Sequence, residues 1–217
     1  MNMDIIEKTM EALRKNNMQA YYANTGDEAR ELVASLLKKG CTVTHGGSVT
    51  LEQTGITGLI SSGDYNYLDR SAPGITREQK EEIYRKSFFA DVYLTSANAI
   101  TENGELYNVD GNSNRIAAIA YGPESVIVVA GFNKIVPDIH AAVKRVKTAA
   151  APKNTVRLSC ETPCAVTGEC ISLRKEDSVA CDGCRSEDRI CCNYLVSAQQ
   201  RKKDRIKVII VGEELGY

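Results

Sequence analysis

Residues 4–16 (DIIEKTMEALRKN) repeat apolar positions at Ile5, Ile6, Met10 and Leu13, spaced for one face of a helix. Gln19–Ala23 reads as a short strand. Thr25 followed three residues later by Glu28 forms a capping-box signature. The helix it starts runs to about Lys39, and Gly40 sits where a helix ends in left-handed backbone. Cys41–His45 reads as a short buried strand, followed at once by Gly46-Gly47-Ser48 and a helix from Val49. Asp64–Asp69 suggests another strand. Thr76 caps a helix through Phe89 whose wet face carries Glu78, Lys80, Glu81, Glu82, Arg85 and Lys86. Asp91–Thr95 is a strand, Gly104–Asp110 one arm of a small excursion, and Asn114–Tyr121 either a strand or a short helix. Val126–Ala130, within SVIVVAG, is the clearest buried strand. Asp138–Ala150 reads as a helix, and Lys207–Gly212 as a last strand.

These strands are continuous apolar runs that alternate with helices. Strands buried on both faces read this way, so the pattern predicts an α/β fold with a mainly parallel sheet covered by helices. From Pro152 to Tyr194 the texture changes to polar residues, cysteines and few periodic apolar positions. A loop-rich excursion ordered by a metal fits that composition. With no internal repeat or linker, residues 1–217 read as one domain, with 152–196 as a cysteine-rich lobe.

Composition narrows the partners. In 217 residues, 43% hydrophobic and 25% charged content describe an ordinary globular chain, and a formal net charge of -1 disfavours a general nucleic-acid binder. The segment Met1–Met18 is charged throughout and lacks the apolar centre of a secretory signal. No run approaches the length of a membrane span, so the expected location is cytoplasmic. In such a compartment eight cysteines are not a disulfide framework. Seven lie between Cys160 and Cys192, with Cys41 apart, and thiolates cluster where they converge on a metal. Zinc and an iron–sulfur cluster both fit that chemistry.

Three loops follow predicted strands. Gly46-Gly47-Ser48 would bring backbone N–H groups to an anion at a helix start; the plainer reading is a tight turn with a serine cap. The run from Ser96 through Asn98, Thr101 and Glu102 to Asp110, Asn114 and Arg115 carries Arg115 as a natural fork for a carboxylate or phosphate. Glu102 and Asp110 are candidate acid/base groups there; the plainer reading is turn chemistry. Lys134 follows the strongest strand, where it meets the same anion or is simply solvated. His45 and His140 are not spaced as a zinc pair; His45 ends a strand beside the glycines. Ligands of open α/β sheets bind at the carboxyl ends of strands, so an anionic small molecule is the expected ligand.

At these residues the sequence resembles the LUD-domain family of lactate-utilisation proteins. The matching stretches are HGGSVTLEQTGI, SANAITENGELYNVDGNSNRIAAIAYGP, VIVVAGFNKIVPD and PCAVTGEC followed by CRSEDRICCNYLV. The resemblance implies a fold like that of ribose-5-phosphate isomerase, glucosamine-6-phosphate deaminase and the CoA-transferases. It implies Cys164, Cys170, Cys184 and Cys191 as metal ligands, for a 4Fe–4S cluster or, alternatively, zinc. Residues 171–182 look inserted against that pattern, which makes Cys181 a rival of Cys184. Two functions follow. One is an iron–sulfur accessory of L-lactate oxidation to pyruvate, working beside iron–sulfur redox partner proteins. The other is an isomerase- or transferase-like enzyme, or a sensor, that binds a phosphorylated or carboxylated metabolite and carries a structural zinc. Whether the chain acts as a homo-oligomer is left open.

Overall fold

A computed structural model describes residues 2–217. In chain order its elements are α1 (Met3–Lys15), β1 (Gln19–Ala23), α2 (Gly26–Leu36), β2 (Thr42–His45), α3 (Val49–Gln53), α4 (Ile56–Ile60), β3 (Asn66–Tyr67), α5 (Arg77–Lys86) and β4 (Val92–Thr95). There follow β5 (Ala99–Thr101), β6 (Leu106–Asp110), α6 (Asn114–Ala120), β7 (Ser125–Gly131), β8 (Ile135–Val136), α7 (Ile139–Arg145), α8 (Ala151–Arg157), α9 (Pro163–Thr167), β9 (Asn193–Ser197) and β10 (Ile206–Val211). Six strands form a parallel sheet in the order β1-β10-β7-β4-β2-β3.

The two-residue period of a strand divides the core into two layers. On β7, Val126, Val128 and Ala130 join one buried cluster with Ile6 and Leu13 of α1 and Ile119 of α6. Ile127 and Val129 join the other, with Val33 of α2, Leu51 of α3 and Ile56 of α4. The β10 residues split in the same way, Val208 and Ile210 to one side and Ile209 and Val211 to the other. That explains why these strands read as unbroken apolar runs.

A second, four-stranded sheet in the order β8-β5-β6-β9 is not foreshadowed by the sequence pattern. β5 and β8 are three and two residues long, too short to show a period. β9 returns from the cysteine lobe and pairs antiparallel with β6, Asp110 facing Asn193 and Leu106 facing Ser197.

The lobe is less loop-like than its composition suggests. After α7 the chain widens into a π turn at Val146–Ala150 and continues as α8, passing through Pro152. Proline has no N–H to offer a helix and its ring crowds the preceding turn, and a wider turn just before it relieves both. Asn114–Tyr121 resolves as helix α6, with side chains from elsewhere at both ends. Asp110 Oδ2 accepts from the N–H groups of Arg115 and Ile116. Buried Arg205 donates to the carbonyls of Ala118, Ile119 and Pro123. Among the described residues no helix is long and apolar enough to cross a membrane.

The β5–β6 turn packs directly on α1. Gly104 has φ +79°, and a Cβ there would lie 2.5 Å from the Ala12 carbonyl carbon. Gly104→Ala is therefore expected to destabilise the chain by about 2 kcal/mol or more, from left-handed strain plus collision with backbone. Urea unfolding of the purified variant measures this.

Candidate functional site

The parallel strands all point their carboxyl ends to one edge, and the loops there border a single crevice of about 710 Å³. Gly47 and Ser48 follow β2, Asn98 follows β4, Asp110, Asn114 and Arg115 follow β6, and Lys134 follows β7; all line it. Three residues singled out from the sequence lie elsewhere. Gly46 is buried beneath the crevice wall, where a Cβ would meet the Tyr93 hydroxyl and Arg115 Cδ at 3.0 Å. Thr101 and Glu102 sit at the far end of β5, since each strand residue advances about 3.3 Å. Thr101 Oγ1 bonds the Glu105 carboxylate, and Glu102 is ion-paired to Lys8 of α1 at 2.7 Å. Glu102 is thus no acid or base for this crevice.

Arg115 and Asp110 also differ from expectation. Arg115 Nε donates to Asp110 Oδ1, Nη1 to the Ser96 carbonyl and Asn108 Oδ1, and Nη2 to Asn98 Oδ1 and the Val109 carbonyl. With its fork filled by the protein, Arg115 is a brace of the crevice rather than an anion clamp. Asp110 spends one oxygen on Arg115 and the other on the start of α6, which leaves its carboxylate as part of the same brace. Ser48 Oγ accepts from the Leu51 N–H, capping a helix of only five residues. His45 does not face the crevice. Its ring is held between the Gly46 carbonyl at 2.7 Å and the Tyr67 hydroxyl at 2.8 Å, and burial lowers its pKa.

Of the other basic groups, Lys134 and Arg70 follow strands of the large sheet. Lys134 is 3% exposed, and its Nζ meets Thr50 Oγ1 and Ser96 Oγ, each at 2.9 Å. Burial, with Arg145 and Arg115 adding repulsion, brings its pKa from 10.5 to about 7. Arg70 lies over the Tyr84 ring, 5.0 Å from its centroid, with no hydrogen bond or ion pair among the described residues. It was missed in the sequence, yet it follows β3 as the other site residues follow their strands. Six basic side chains line the crevice against three acidic ones, so its field favours an anion.

The cysteine lobe forms the opposite wall. Cys160, Cys191 and Cys192 line the crevice beside Arg157 and Arg189. Behind that wall is a second cavity of about 20 Å³, bordered by Cys164, Cys170, Cys184 and Cys191 and by none of the other cysteines. Cys181 is exposed instead. The surrounding side chains are largely apolar: Val143, Val146, Ala151, Pro163 and Ile171. Cys164 Sγ lies 3.4 Å from Thr162 Oγ1 and 3.7 Å from Thr155 Oγ1, and Cys170 Sγ 3.3 Å from Ser172 Oγ. Burial pushes the Cys191 thiol pKa up. Tyr107 also borders the cavity, and its buried hydroxyl has no hydrogen-bond partner. An unpaired buried hydroxyl costs stability and marks a place for an acceptor. Among the described residues, no three His, Cys, Asp or Glu side chains are grouped to hold one metal ion. The four thiols share the lining of one small cavity without forming such a group. Arg189 fixes the loop by donating to the carbonyls of Cys181, Cys184 and Cys191.

The model of the LUD domain matches residues 6–211 of the chain. The crystal structure of a DUF162 family protein from Deinococcus radiodurans is similar with a TM-score of 0.54 at 14% identity, over 96% of this chain and 97% of that one. At that identity the likeness is one of fold, and it extends over the cysteine lobe as well as the sheet. No curated protein matches the chain.

Two outcomes follow from the site's electrostatics. Arg115→Lys cannot reproduce the fork, and is expected to cost about 3 kcal/mol in chemical unfolding by stranding Asp110 and several buried acceptors. Lys134 ordinarily titrates at 10.5 and in the fold at about 7. Between those values the unfolded chain holds a proton that the folded chain lacks, so this site's contribution to stability rises with pH from about 7 to about 10.5. Below that window both states are protonated and the contribution is flat. Lys134→Met is expected to remove the rise, as read from unfolding free energies across the window.

Proposed function

The chain belongs to the LUD-domain family, which is associated with lactate utilisation, and on that premise we propose that it is an iron–sulfur component of L-lactate oxidation to pyruvate. The observation that carries this reading is the four-thiol cavity: Cys164, Cys170, Cys184 and Cys191 border it together with the unpaired Tyr107 hydroxyl. These four would hold a 4Fe–4S cluster, which when bound supplies one-electron transfer. The chain's own groups prepare the place. Thr155, Thr162 and Ser172 offer hydroxyls to the sulfurs, and hydrogen bonds to sulfur tune a cluster's potential. Val143, Val146, Ala151 and Ile171 exclude water. Arg189 holds the loop through three cysteine carbonyls.

The crevice would receive the carboxylate of the metabolite. Arg70 would supply positive charge and Lys134 a hydrogen-bond donor, while Arg115 and Asp110 hold the loops around them. Cys191 borders both cavities, so on this reading the cluster and the metabolite would lie on two sides of one wall. Electrons would pass on to iron–sulfur partner proteins.

A second reading is favoured by one observation, the buried Lys134 amine in the crevice. It suits an isomerase- or transferase-like enzyme whose cysteine lobe holds only a structural zinc.

Anaerobic purification with iron and acid-labile sulfide analysis separates the two. Iron and sulfide in near-equal amounts, in brown protein, are expected. Cys184→Ser should lose most of the iron, and Cys181→Ser should keep it. Colourless protein with one zinc per chain would sink the iron–sulfur reading and leave the second.

A further inference from the structure

Lys134 is buried without a counter-ion. Its Nζ is held between two neutral hydroxyls, Thr50 Oγ1 and Ser96 Oγ, at 2.9 Å each, and no carboxylate is among its hydrogen-bond partners. A lysine kept only to join β7 to α3 would gain from an acidic partner, because an unpaired buried ammonium is costly. Lys134 nevertheless lines the crevice, as do both of its hydroxyl partners, Thr50 and Ser96. The tail packs closely against it. Gly216 has φ +59°, and a Cβ there would stand 3.1 Å from Nζ and 2.6 Å from Thr50 Oγ1. At the near-neutral pKa described above, a large share of the amine is uncharged at neutral pH and therefore nucleophilic. Arg70 and Lys80 line the same crevice and can hold an anionic group on the molecule that Lys134 attacks.

We propose that Lys134 captures the carbonyl carbon of an anion-bearing aldehyde or ketone, a 2-oxo acid being the simplest class, as a protonated imine. The inference rests on the crevice being an anion site and is independent of the metal reading. The Nζ lone pair forms the C–N bond while the carbonyl π pair moves to oxygen. Ser96 or Thr50 relays an Nζ proton to that oxygen, giving a carbinolamine. A second protonation releases the oxygen as water and leaves the imine. One water departs, one proton is taken up, and nothing is oxidised or reduced. The imine draws electrons from the neighbouring carbon and weakens its C–H bond. The reaction class served is therefore proton exchange or isomerisation next to a carbonyl.

The test is reductive trapping. The intact protein is incubated with pyruvate, glyoxylate or glyceraldehyde 3-phosphate, reduced with borohydride, and read by intact mass and peptide mapping. The expected result is one reduced adduct per chain with at least one of these probes, located on Lys134. In Lys134→Arg and Lys134→Met, labelling should fall to the background of the exposed lysines. The map of the unsubstituted chain decides the matter even if a variant fails to fold. Label spread over surface lysines with Lys134 unmodified, or no adduct with any probe, overturns the proposal. Calorimetry with the same probes separates the two ways of failing. Binding without an adduct leaves the anion crevice standing and removes the imine, whereas no binding by any probe removes both.

Discussion

One guanidinium ties the two sheets together around the crevice. Arg115 reaches the loop after β4 through the Ser96 carbonyl and Asn98 Oδ1, and the end of β6 through Asn108, Val109 and Asp110. The Arg115–Asp110 pair is 13% and 11% exposed, where a charge is costly unless every lone pair and proton finds a partner. Here they do. Because β4 belongs to the large sheet and β6 to the small one, this pair fixes how the two sheets meet, and with it the spacing of the loops that border the crevice. Gly46 is part of the same constraint, since a Cβ there would crowd Arg115 and Tyr93 at 3.0 Å and push the brace aside.

The brace extends into the cysteine lobe. The Asp110 carbonyl accepts from the Cys192 N–H at 3.0 Å, and β6 and β9 pair from that point onward. One residue thus anchors Arg115, starts α6 and receives the returning lobe. On the lobe's other side, Cys170 N–H bonds the Lys147 carbonyl of the π turn, and the Lys147 amine bonds Ser178 and the Val179 carbonyl of the 171–182 segment. That segment is therefore fastened over the thiol cavity rather than hanging free. A change in the cavity has a short covalent and hydrogen-bonded route to the crevice, through Cys191, Cys192 and Asp110.

The parallel sheet was readable in the sequence because strands covered on both faces need apolar residues at every position, as in SVIVVAG. The crevice was readable because the loops after such strands share one edge. Less could be read where function depends on partners distant in sequence. Nothing local to Arg115 reveals that five acceptors surround its guanidinium, so a natural anion fork proved to be a brace. Nothing local to Thr101 and Glu102 reveals that β5 carries them away from the site. Arg70 was hidden because β3 has only two residues. The cysteine spacings could not rank Cys181 against Cys184. Their burial differs, Cys184 bordering the cavity and Cys181 lying exposed.

The proposed iron–sulfur role requires the four thiols around one cavity to act as a single site. X-ray absorption at the iron edge of anaerobically purified protein addresses this most directly. The account predicts iron surrounded by sulfur with other iron atoms close by, and loss of that signal when any one of Cys164, Cys170, Cys184 or Cys191 is replaced by serine. An iron-free protein with zinc bound, or iron ligated by oxygen and nitrogen that survives those replacements, would contradict it.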